Sequence, residues 1–71
     1  MYYKLTIQQF NDNTPEASSL LAYETKAAAA GAAFSDLSSA STNGKISKCI
    51  CKIIDSDGAI HRHDEWKPEI N

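Results

Sequence analysis

The segment that most limits the fold runs from Lys26 to about Ser41 and is dominated by alanine. Alanine loses no side-chain entropy on ordering and has the highest intrinsic helix propensity, so this stretch is predicted to be a helix. Thr25 supplies its N-cap, with a hydroxyl able to accept from the unpaired amides of the first turn. Phe34 and Leu37, with Ala27, Ala30, Ala33 and Ala40, trace an apolar stripe at spacings of three and four that is expected to face a sheet. Gly31 lowers helix stability by about 1 kcal/mol relative to alanine, yet small residues let a helix lie close to its support. Asn43-Gly44 is expected to end the helix in the left-handed region.

The flanking segments read as strands. Tyr2 to Phe10 alternates, with Tyr3, Leu5 and Ile7 on one side and Lys4, Thr6 and Gln8 on the other. Asn11 to Glu16 collects turn formers and a proline, and forms a loop. Ala17 to Glu24 is able to begin a helix or to form a second strand; the cap at Thr25 implies non-helical backbone before it and favours the strand. Lys45 to Asp55 is the most β-prone run, and Ser56-Asp57-Gly58 joins it to Ala59–Trp66 as a hairpin. A type I turn closed by left-handed glycine sets Asp55 opposite Ala59. That register pairs Ile53 with His61, Cys51 with His63 and Cys49 with Glu65 on one face. On the other it pairs Ile54 with Ile60, Lys52 with Arg62 and Ile50 with Asp64. A right-handed crossover then gives an α+β domain, β-β-α-β-β, with a four-stranded antiparallel sheet in the order 2-1-3-4 and one helix on one face.

A chain of 71 residues and 7.8 kDa supports one core, here a single domain over 1–71, ordered from about 2 to 66 with a loose tail, 67–71. A hydrophobic fraction of 42% excludes a disordered tail, and no apolar run is long enough to span a membrane. The formal charge of −2 argues against coating nucleic acid by bulk electrostatics. The opening Met-Tyr-Tyr-Lys-Leu-Thr-Ile has no basic or apolar signal region, which leads to an expected cytoplasmic location. Cys49 and Cys51, two apart on a strand, are awkwardly placed for a disulfide and read as free thiols.

One helix leaves one face of the sheet bare. If Leu5, Ile7, Cys49, Cys51 and Ile53 meet the helix, then Lys4, Thr6, Gln8, Phe10, Lys48, Ile50, Lys52, Ile54, Ile60, Arg62, Asp64 and Trp66 look outward. Such a face is either a solvent-tolerant surface roofed by lysine stems or a partner-binding patch anchored by Phe10, Ile50, Ile54 and Trp66 and oriented by Lys48, Lys52 and Arg62. The expected partner is a protein, which includes one that already carries nucleic acid, or a second copy forming a homodimer. The alternative is single-stranded nucleic acid stacked on Phe10 and Trp66, with phosphates held by Lys4, Lys48, Lys52 and Arg62.

Cys49, Cys51, His61 and His63 are the zinc-compatible residues, but residues two apart on a flat strand diverge, and the spacing matches no common zinc signature. No cofactor is expected. The same residues lack an orienting group and a cleft for nucleophilic catalysis, and the glycines form no phosphate loop, so an enzyme is not expected. Asp55 and Asp57 read as turn residues rather than the start of a calcium loop.

The layout, with Glu24-Thr25-Lys26-Ala27-Ala28-Ala29 opening the helix, Asp55-Ser56-Asp57-Gly58 in the hairpin and Trp66 at its end, resembles small accessory proteins of phages and mobile elements. Some anti-CRISPR inhibitors are similar in layout. The resemblance implies a non-enzymatic protein that works by occupying a partner's surface.

Overall fold

The computed structural model describes residues 1–68. Its elements are β1 (Tyr2–Phe10), β2 (Ala17–Tyr23), α1 (Lys26–Thr42), β3 (Ile46–Asp55) and β4 (Ile60–Trp66), and the sheet is antiparallel in the order β2-β1-β3-β4. The fold class, element order and strand order agree with the sequence reading. Of the expected loose tail, 67–71, the last three residues lie outside the described residues.

The local chemistry accounts for the boundaries. Thr25 has extended backbone, and its hydroxyl accepts from the Ala28 amide, so α1 begins where the cap was expected. The other end differs. Asn43 is extended, its amide donates to the Ala40 carbonyl, and its side-chain oxygen accepts from the Lys45 amide. No left-handed residue is needed, because Asn43 turns the chain with its own side chain and Gly44 stays out of the positive-φ region. The hairpin follows expectation at its tip: the Asp55 amide donates to the Ala59 carbonyl, the Gly58 amide donates to the Asp55 carbonyl, and Gly58 sits at φ 86°.

Ala29, Ala33, Ala40, Ile46, Cys49, Cys51 and Ile53 form the buried core, with Tyr2, Phe10, Tyr23, Leu37 and Trp66 packed around it. The stripe on α1 is therefore rotated from the one expected. Ala29, Ala33 and Ala40 are buried, while Ala27 is exposed and Phe34 stays half exposed. The rotation brings Asp36 toward the sheet, and its partner explains the second departure. Lys4, Thr6 and Phe10 of β1 face the helix, whereas Leu5 and Ile7 do not: Lys4 and Thr6 stand opposite Ile53 and Cys51, both buried. Lys4 Nζ forms an ion pair with Asp36, and Thr6 Oγ1 donates to the same carboxylate at 2.8 Å. A carboxylate held over β1 selects the polar side of that strand, because a buried ammonium that is paired costs far less than one that is not.

The third departure is in β4. Ile54 pairs with Ile60 as expected, but Ile53 then pairs with Arg62, Lys52 with His63, Cys51 with Asp64, Ile50 with Glu65 and Cys49 with Trp66. His61 is the extra residue of a β-bulge, and one added residue reverses every side chain beyond it. Its ring is fixed on the helix side, where Nε2 lies 2.8 Å from Asp55 Oδ2 and the ring meets Tyr2 edge-on at 5.4 Å.

Candidate functional site

Because β1 and β4 present the sides opposite to those expected, the open face of the sheet is more aliphatic than the sequence reading proposed. Tyr3, Leu5 and Ile7 of β1 lie there beside Ile50, Lys52 and Ile54 of β3, since each strand's alternate residues are the ones buried under α1. Leu20 of β2 stands opposite Leu5, and Ile60 of β4 opposite Ile54. Leu20 and Ile60 are 56% and 59% exposed, and the central residues are half-buried by one another.

The charged side chains of this face lie on the β3–β4 side. Lys48 Nζ is 4.0 Å from Glu65 Oε1, and His63 Nε2 is 3.6 Å from the same oxygen. Lys52 is half-buried, with its pairing neighbours Leu5 and His63 on either side. The result is an aliphatic surface across β2, β1 and β3, with Lys52 set between Ile50 and Ile54 in its β3 row and Lys48 at one end of that row.

Of the expected anchors, Lys48, Ile50, Lys52 and Ile54 are on the open face, and Phe10, Arg62 and Trp66 are not. Phe10 and Trp66 pack against the core beneath α1. Arg62 crosses to the helix side, where its guanidinium carbon lies 4.5 Å from the centre of the Phe34 ring and its Nε donates to Asp64 at 2.5 Å. Lys4, Thr6 and Gln8 leave the outward set as well. A stacking surface for single-stranded nucleic acid is thereby split, since its two aromatic platforms and its arginine lie across the sheet from Lys48 and Lys52. The residues missed were Tyr3, Leu5, Ile7 and Leu20. Asp36 was the available signal: it is the only acidic residue of α1, it falls three residues after Ala33, and Lys4 is the only cation of β1.

The zinc-compatible residues do not converge either. Cys49 and Cys51 are buried free thiols under the helix, His61 is held by Asp55 in the bulge, and His63 is on the open face. Among the described residues no three His, Cys, Asp or Glu side chains are grouped to hold a metal. Burial pushes both thiols upward, Cys51 to about 11, so both are protonated at neutral pH. The hydrogen bond from His61 holds Asp55 below the ordinary carboxylate value. On the helix side, a groove of about 320 Å³ is lined by Lys4, Thr6 and Gln8 of β1, Ser19 and Leu21 of β2 and Asp36 of α1. Burial alone would lower the Lys4 ammonium, but the hydrogen bond and charge of Asp36 outweigh it and raise it above 10.5.

No helix among the described residues is long and apolar enough to cross a membrane. Comparison with protein families, with curated proteins and with solved structures gave no match.

Proposed function

We propose that this protein is a non-enzymatic protein-binding module that holds its partner against the open face of the sheet. The observation that carries the reading is an inversion of the usual amphipathic order. On β1 the side under the helix carries Lys4 and Thr6, while Leu5 and Ile7 are left on the side that no element among the described residues covers. Four strands about 4.8 Å apart, each seven to ten residues long at about 3.3 Å per residue, offer a plan area of roughly 500 Å². That matches in order of magnitude the ~800 Å² of accessible surface that each partner contributes to a stable complex. Ile50, Leu5 and Ile7 supply the apolar centre. Lys48 and Lys52 orient a partner whose rim is acidic.

Action through such a face is steric, as in an inhibitor or accessory factor that blocks its target by sitting on it. The test is a pull-down with immobilised protein, comparing the wild type with Ile50→Glu on the open face and Arg62→Ala on the helix side. Thermal melts check that each variant is folded. Retention of a partner by the wild type and by Arg62→Ala, with loss in folded Ile50→Glu, supports the proposal. A partner held equally by all three overturns it.

A further inference from the structure

The two edges of the sheet are treated differently, and the difference points to a second copy of the chain. The outer strand β4 (IHRHDEW) carries charged side chains and the His61 bulge, the devices that prevent an edge from pairing with another strand. The other outer strand, β2 (ASSLLAY), has none of them: it has no charge, no proline and no bulge, and it keeps seven unbroken pairs with β1. Every β2 residue but Tyr23 is exposed, and Leu20 and Leu21 are 56% and 50% exposed on opposite sides of the strand.

We infer that β2 is a homodimerisation edge, pairing antiparallel with β2 of a second copy to make one continuous eight-stranded sheet. The symmetry fixes the details. A two-fold axis perpendicular to the sheet keeps both helices on the same side, so paired positions must share a face and their numbers must sum to an even value. Centring that axis on Leu20, the midpoint of Ala17–Tyr23, uses the whole strand. Leu20 then meets Leu20 of the second copy, Leu21 meets Ser19, Tyr23 meets Ala17 and Ala22 meets Ser18. Away from the axis, each of the two large residues, Leu21 and Tyr23, faces a small one, and no charged pair arises within the ladder. Just outside it, Glu24 comes opposite Glu16 of the second copy. These like charges limit the pairing to seven residues and make association tighten as salt rises. The groove beside α1 in each copy then lies next to its counterpart across the two-fold axis.

Sedimentation equilibrium over a concentration series is expected to show mass rising from 7.8 kDa toward twice that value, more readily at 0.5 M than at 0.05 M salt. Leu20→Lys, a change at an exposed position, places two ammonium groups at the axis and is expected to weaken the dimer at least about tenfold. Ile50→Glu alters the open face and leaves the dimer intact. Under oxidised glutathione, Leu20→Cys is expected to cross-link to itself faster than Ser18→Cys or Ala22→Cys, with the buried native thiols silent. A monomer throughout overturns the inference. So does a dimer lost in Ile50→Glu but kept in Leu20→Lys, which would transfer self-association to the open face, and so do equal cross-linking rates at the three positions.

Discussion

Asp36→Ala tests the account of why β1 lies with its polar side inward. The substitution leaves the Lys4 ammonium in place, in a residue 4% exposed, and removes the acceptor of both Lys4 and Thr6. Stripping one partner from a buried pair costs about 3–5 kcal/mol. Here the carboxylate side chain is 30% exposed and the groove admits water to the pair, which lowers the expectation to about 2–4 kcal/mol. A chain of 71 residues has a total stability of about 4–11 kcal/mol at the usual value per residue, so the substitution removes a large share of it. Its midpoint should fall by about 10–25 °C. Lys4→Met with Asp36→Leu, which replaces the pair by apolar groups of similar length, should recover stability to within about 1 kcal/mol of the wild type. Urea unfolding followed by circular dichroism measures all three proteins, with m unchanged as the condition for comparing them. The pH dependence has a definite sign. The folded Lys4 ammonium is raised above 10.5, so the stabilisation from its pairing is complete below 10.5 and is lost as pH climbs through the folded value. A cost for Asp36→Ala below about 0.5 kcal/mol, or a double variant no better than the single one, would refute the reasoning.

Two other outcomes follow from the structure. With burial holding Cys49 and Cys51 protonated, Ellman's reagent at pH 8 should modify neither thiol in the folded protein and both in urea; rapid native labelling would mean that the helix side opens to solvent. Gly58→Ala should lower stability by about 1 kcal/mol in thermal melts, since φ is 86° and an added Cβ would touch nothing within 4 Å, leaving backbone conformation as the only cost; an unchanged midpoint would contradict that.

The elements and their order were legible because each rests on local chemistry: alternation in Tyr2–Phe10, alanine after Thr25, and Ser56-Asp57-Gly58 between two runs of strand formers. Which way each strand faces was less legible, because that is decided by contacts between distant residues. Apolar alternation in β1 names two faces without saying which one the helix takes, and a pair thirty-two positions apart, Lys4 and Asp36, settles it. The bulge at His61 is likewise held by Asp55 and Tyr2, one across the hairpin and the other on a different strand. Ile50, Lys52 and Ile54 were placed correctly because β3, with Cys49, Cys51 and Ile53 on its other side, matched the simple expectation that small and aliphatic residues go under an alanine helix.

The strand order also shapes how the chain assembles. β1 and β2 form one local hairpin and β3 and β4 another, while the seam between them, β1 against β3, joins the ends of a long intervening segment that contains α1. Two short ribbons, each marginal by itself in water, must therefore meet before either is secure. Until that docking occurs, Leu5, Ile7 and the bare edge of β2 are presented together on the first ribbon. The nascent protein is then at its most adhesive, so the surfaces that equip the finished domain to bind also set its risk of aggregation during folding.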